Sequence, residues 1–208
     1  MSASVTPLVF QPPEVPEDQA RAGYYALLAR LFYAGPDAGL LATIAGADEI
    51  VAAGEQSALA GAWSALALAA RAMDADTARF EYDQLFVGTG KAAVTPYASF
   101  YLADTGREKI LVRLRTDLAG LGLGRSERAA EPEDHVAGLF DAMRYLISLG
   151  SGDVALQQQR DFFDRYIADA FHRLCVAISD CEKANFYKHV ARFTDTFLTV
   201  ESEALKVF

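Results

Sequence analysis

The chain has 208 residues, 52% of them hydrophobic and 11% aromatic, so it is globular rather than disordered and long enough to bury roughly 70% of its unfolded surface. A formal net charge of −9 excludes an ordinary nucleic-acid binder, which needs a basic patch for phosphate, and favours a basic partner. No apolar run approaches the ~20 residues that cross a bilayer, and no basic-then-apolar leader opens the sequence, so a cytoplasmic protein without stable membrane insertion is expected.

In chain order, residues 1–16 read as a flexible, Pro-containing arm. Pro16-Glu17-Asp18 then opens a first helix with Tyr24, Leu27, Leu28, Leu31 and Phe32 at helical spacing. Gly35-Pro36-Asp37 ends it and starts a short second helix with Leu40, Leu41 and Ile44. A third runs from Ser57 to Met73. Asp74 or Asp76 caps a fourth that includes Phe80, Tyr82, Leu85 and Phe86. After Val87-Gly88-Thr89-Gly90 periodicity fails until about Tyr97, and Pro96 marks an extended point in this loop.

Leu111, Leu114, Leu118 and Leu121 define the next helix, closed by Gly120, Gly122 and Gly124 ahead of the charged run Arg125-Ser126-Glu127-Arg128. A long helix is predicted from Pro132, with Val136, Leu139, Phe140, Met143, Leu146 and Ile147 on one buried face. It stops near Gly150. Phe162, Phe163, Ile167, Phe171, Leu174 and Ile178 are assigned to one further helix, and Phe186, Val190, Phe193, Phe197 and Val200 to the last. No period-2 strand and no internal repeat is visible. The predicted fold is all-α, a single globular bundle of about eight to ten helices. Within it, 17–119 forms an N-terminal helical part, 120–130 a hinge or loop, and 131–208 a C-terminal helical part.

Little conventional chemistry is encoded. Gly120-Leu121-Gly122-Leu123-Gly124 matches no phosphate loop, and no strand precedes it. Cys175 and Cys181, six residues apart on a helix, point about 240° away from each other, which argues against a disulfide and a zinc site. Glu131-Pro132-Glu133-Asp134-His135 has two readings. It is a capped, solvated first turn facing the positive end of the helix dipole, or a set of polar groups held at the start of a rigid helix to form a site. As metal ligands, Glu131, Asp134 and His135 would make an all-α metal-dependent hydrolase, although the spacing lacks the Glu-x-x-His repeat of helical metal sites. The stretch Glu81 to Gly88, followed by Thr95 to Leu102, reads either as aromatic-rich packing or as a peptide-recognising surface.

Taken together these stretches carry a resemblance. Tyr82-x-x-Leu85-Phe86-x-Gly88, then Pro96-Tyr97-x-Ser99-x-Tyr101-Leu102, then Glu131-Pro132-x-Asp134-His135, with Gln157-Gln158-Gln159 ahead of Phe162-Phe163, resembles the TorD/DmsD/NarJ family of redox-enzyme maturation chaperones. The similarity runs from about Arg21 to the C-terminus. It departs at Tyr166–Phe171, where a Leu-Pro-Trp-like segment is common, and at Thr89-Gly90-Lys91, where the family is Pro-rich. The resemblance implies a non-enzymatic cytoplasmic chaperone with no cofactor of its own. Such a protein binds the twin-arginine leader peptide, the body, or both, of an apo molybdoenzyme catalytic subunit, and holds it until cofactor insertion and export. It further implies client binding by Tyr82, Leu85, Phe86, Pro96, Tyr97, Tyr101, Glu131, Pro132, Asp134 and His135, and allows a homodimer by domain exchange. An assembly factor that binds the subunit without reading the leader is the alternative within the same family.

Overall fold

The computed structural model describes residues 12–13, 15–50, 56–88, 92–124 and 131–207. Most of the expected arm, the loop residues Thr89-Gly90-Lys91 and the charged run Arg125 to Ala130 lie outside the described residues. Among the described residues there are ten α-helices, with no strand beyond one isolated bridge between Tyr97 and His135. The helices are α1 Pro16–Tyr33, α2 Ala38–Gly46, α3 Gln56–Ala72, α4 Ala75–Tyr82, α5 Ala98–Leu102, α6 Arg107–Gly120, α7 Val136–Ser148, α8 Asp153–Tyr166, α9 Ala168–Asp180 and α10 Phe186–Lys206. The expected all-α fold is what forms. No helix among the described residues is long and apolar enough to cross a membrane.

Local signals set most of the ends. Pro16 starts α1 in its first turn, and the Asp37 and Asp74 carboxylates cap α2 and α4 by accepting from Leu40 N (2.7 Å) and Thr77 N (2.9 Å). Gly35 is required by packing. A Cβ there would stand 2.8 Å from Arg79 Cα, so only glycine lets the α1–α2 turn lie against α4.

The helices on either side of Gly120–Gly124 share one core. α1 lies along α7, while α10 packs against α3 and α9. Rings link these elements: Phe140 of α7 meets Phe171 of α9 at 4.2 Å, and Tyr25 of α1 meets Phe197 of α10 at 5.1 Å and Phe140 at 5.8 Å. Tyr25, Phe140 and Phe171 are fully buried, and aromatic pairs of this kind add about 0.5–1.5 kcal/mol each beyond the area they bury. A polar network crosses the same core. Arg21 donates to both Glu201 oxygens (2.7 and 3.0 Å), to Asp18 (2.7 Å) and to the Gln159 carbonyl (3.0 Å).

Two expectations need correction. The segment assigned to one helix through Phe162 and Ile178 is two helices, α8 and α9, meeting at Ile167 (φ −111°, ψ −59°). Ile167 is β-branched and fully buried, and its packing holds the bend while Phe171 N still bonds Ile167 O. The long helix begins at Val136 and not at Pro132. An α-helix opening at Pro132 would spend the Val136 N–H on the Pro132 carbonyl. Instead Val136 N donates to Pro96 O (3.0 Å), and Asp134 O accepts from Ala98 N (2.9 Å). The bridge to Tyr97 therefore keeps Glu131 to His135 out of the helix, in a turn closed by His135 N on Pro132 O (3.1 Å), and no acidic residue sits in the first turn of α7.

Candidate functional site

The sequence motifs fold into a brace. After Tyr82 the chain makes a π-helical turn, Asp83–Val87, closed by Gly88 N bonding Asp83 O at 2.8 Å. The extra residue sends both Leu85 and Phe86 inward, and Gly88 takes a positive φ of 59° that favours glycine. The Tyr82 hydroxyl donates to the carbonyls of Tyr33 (2.8 Å) and Phe32 (3.2 Å), and Tyr187 donates to Leu31 O (2.7 Å). These tyrosines satisfy carbonyls that the end of α1 leaves unpaired. Tyr101 donates to Thr95 O (3.0 Å), and Arg173 donates to Tyr101 O (2.9 Å), which ties α5 to α9. Tyr82, Leu85, Phe86, Pro96, Tyr101 and Asp134 are thus buried. In this conformation they shape the wall of the site without lining it.

The cleft itself is about 430 Å³ and lies between the end of α1, the end of α6, the 131–135 segment and the outer face of α7. Of the residues singled out from sequence, Glu131, Pro132 and His135 line it. Tyr97 stands behind them, donating to Glu131 Oε2 at 2.7 Å and meeting the His135 ring edge-on at 5.6 Å. Burial, reinforced by that carboxylate, pushes the Tyr97 phenol up to about 12. Tyr33 also meets the His135 ring edge-on, at 6.3 Å. Glu133 and Asp141 bring carboxylates to the rim, Asp141 with Arg144 Nε at 3.4 Å, while Leu118, Leu123 and Ala142 supply an apolar wall and Tyr145 an aromatic one. Gly138 lies in the floor, where a Cβ would meet only Glu133 O at 3.7 Å.

Periodicity did not flag Tyr33, Asp141 or Tyr145, because they sit on the outer faces of regular helices. One signal was available. Gly138, Asp141 and Tyr145, at i, i+3 and i+7, form a polar, glycine-floored stripe opposite the core face of α7. Among the described residues no group of three or more His, Cys, Asp or Glu side chains converges as metal ligands would. Carboxylates above an apolar wall accept charge-assisted hydrogen bonds from a guanidinium while covering a neighbouring apolar residue.

His135 is the N-cap of α7, and its Nδ1 accepts from Ala137 N at 3.3 Å. Only the neutral ring can do this, because an imidazolium has no lone pair. Burial lowers the His135 pKa against the opposing pull of Glu131 and Asp134. A histidine with a folded pKa below its unfolded value of about 6.5 binds its proton more readily in the unfolded chain. Its contribution to stability is therefore complete above that pH and lost as pH falls below it. Urea midpoints should drop more steeply between pH 7.5 and 5.5 in the wild type than in His135→Asn, whose amide still caps; equal slopes would show that His135 does not titrate with folding.

The profile of the nitrate reductase delta subunit family matches residues 52–176, more than half of the chain. The chain is 27% identical over 206 residues to the chaperone protein TorD of Shewanella loihica, an alignment covering 92% of this chain and 96% of that one. It is 25% identical over 134 residues to the chaperone protein TorD of Vibrio parahaemolyticus, covering 60% and 62% of the two chains. The fold is similar to the crystal structure of a protein from Archaeoglobus fulgidus described as a redox enzyme maturation protein. That superposition has a TM-score of 0.57 with 21% identity, over 93% of this chain and 98% of the other.

Proposed function

The chain belongs to the nitrate reductase delta subunit family, and from that membership we propose that it is a non-catalytic maturation chaperone for a redox enzyme. The client in this reading is an apo molybdoenzyme in the cytoplasm, held by its twin-arginine leader until the cofactor is in place. The observation that carries it is the acid-rimmed, apolar-walled cleft beside α7. A leader presents guanidinium groups followed by a helix-prone apolar run. Glu131, Glu133 and Asp141 suit the first part, each charge-assisted hydrogen bond being worth about 1.5–3 kcal/mol. Tyr33, Ala142 and Tyr145 suit the second. A net charge of −9 speeds the encounter with such a peptide.

Calorimetric titration with a synthetic twin-arginine leader tests this, with a Lys-Lys peptide and the Gly138→Leu protein as controls. Leucine at 138 has room on the helix and fills the cleft floor, so helicity should persist while leader affinity falls at least about tenfold, as it does when a hot-spot pocket is lost. The Lys-Lys peptide should bind more weakly, since lysine lacks the planar fork that matches a carboxylate. Binding of the catalytic subunit without any leader binding would favour the assembly-factor reading. Leader binding that Gly138→Leu leaves unchanged would move the site away from this cleft.

A further inference from the structure

One wall of the cleft is made by the end of a helix that buries little of its own surface. Of the 14 residues of α6 only Leu114 is buried, and its main packing partner is the five-residue α5. Its C-terminal half and the turn that follows it nevertheless reach the site. Arg115 Nε donates to Glu133 Oε1 at 2.9 Å, and Leu118 and Leu123 line the apolar wall. Read along the chain, Arg115 followed by Leu118, Leu121 and Leu123 is a guanidinium followed by apolar residues, the order of groups that the cleft suits.

Resting on the reading of this cleft as the client site, we propose that the end of α6 is an internal stand-in for the client. Arg115 holds the position at Glu133 that a client arginine takes, and Leu118 and Leu123 hold the adjoining apolar positions. Client binding displaces them. A tether on the opposite side keeps the stand-in at hand. Asp117 accepts from Arg165 (2.5 Å) and from the Tyr166 hydroxyl (2.6 Å), both outside the cleft. The end of α6 thus competes as a tethered segment, at an effective concentration that a free peptide must exceed. The Arg115 side chain is 49% exposed and that of Glu133 only 13%, so the pair is a weak latch whose better-buried half belongs to the site. A weak latch raises the threshold for binding without closing the cleft to a client.

The test is leader titration of the full-length wild type beside Arg115→Gln, with hydrogen exchange of α6 amides in the free and bound proteins. Arg115 is on the surface, so the variant should fold as the wild type does, which far-UV dichroism checks. Leader affinity should rise about three- to fivefold in Arg115→Gln, the scale of an exposed ion pair, and exchange in the second half of α6 should speed up when the leader binds. Wild-type binding that Arg115→Gln leaves equal or weaker, with α6 becoming more protected, would overturn the stand-in while leaving the chaperone reading in place. Binding by neither protein would instead remove the leader-binding reading on which the stand-in depends.

Discussion

Glu201→Ala is expected to lower the stability of the folded protein by about 3–5 kcal/mol, the loss seen when one partner of a buried ion pair is removed. Glu201 lies near the end of α10 and is 2% exposed, and its carboxylate accepts from two nitrogens of Arg21 in a forked arrangement. It also accepts from the Tyr25 hydroxyl at 3.2 Å. Burial alone would lower the Arg21 pKa, but Glu201 and Asp18 outweigh it and raise the value above the ordinary one, so the guanidinium is charged at every working pH. Removing the carboxylate leaves that charge in the core facing Asp18 and a neutral amide. The urea midpoint should fall by about 1.5 M with an unchanged slope. The pair is coupled, so Arg21→Met combined with Glu201→Leu should cost less than the two single changes added together. Strict additivity, or a loss below about 1 kcal/mol, would mean that water reaches the network and screens it.

This network also shows what the sequence could reveal. The helices were legible because their apolar residues recur at helical spacing, and Pro16, Asp37 and Asp74 stand where starts and caps belong. Arg21, Gln159 and Glu201 were not readable as partners, because they lie on α1, α8 and α10 and nothing local marks a contact across 180 residues. The start of α7 was misjudged for the same reason. Pro132 and its neighbouring carboxylates have the composition of a first helical turn, but the Val136 N–H that would close it is taken by the carbonyl of Pro96, far away in the chain and in neither helix nor sheet. Tertiary pairing overrode local propensity.

The candidate site divides along the same line. Glu131, Pro132 and His135, chosen by resemblance, do line the cleft, whereas Tyr82, Leu85, Phe86 and Tyr101 are buried behind it. A motif shared across a family marks whatever the family needs, and a π-helical turn that ends on a positive-φ glycine, such as Phe86-Val87-Gly88, is needed by the fold. The cleft residues on α6 and α7 belong to no contiguous motif. They come together only when the end of α6 is brought across the cleft from α7, where Arg115 reaches Glu133.

Glu81 gives that distinction its sharpest test, because it opens the motif-bearing stretch and yet makes its contacts with residues that do not line the cleft. Its carboxylate, on α4 and 6% exposed, accepts from the backbone N–H groups of Asn185 (2.8 Å), Phe186 (3.0 Å) and Tyr187 (2.8 Å). The Asn185 side chain does not cap α10, so Glu81 satisfies the first donors of the longest helix from another element and sets a negative charge against its positive end. Alanine there strands buried donors at about 1–3 kcal/mol each, and a loss near 4 kcal/mol is expected. Glutamine keeps one accepting oxygen but turns an amide N–H toward a donor, so about half of that loss should remain. The same urea titration measures both, beside leader titration of whatever fraction stays folded. Lowered stability with unaltered leader affinity would place Glu81 in the framework. Lowered affinity at unchanged stability would mean that the stretch from Glu81 to Gly88 meets the client directly, and that the client site extends beyond the cleft.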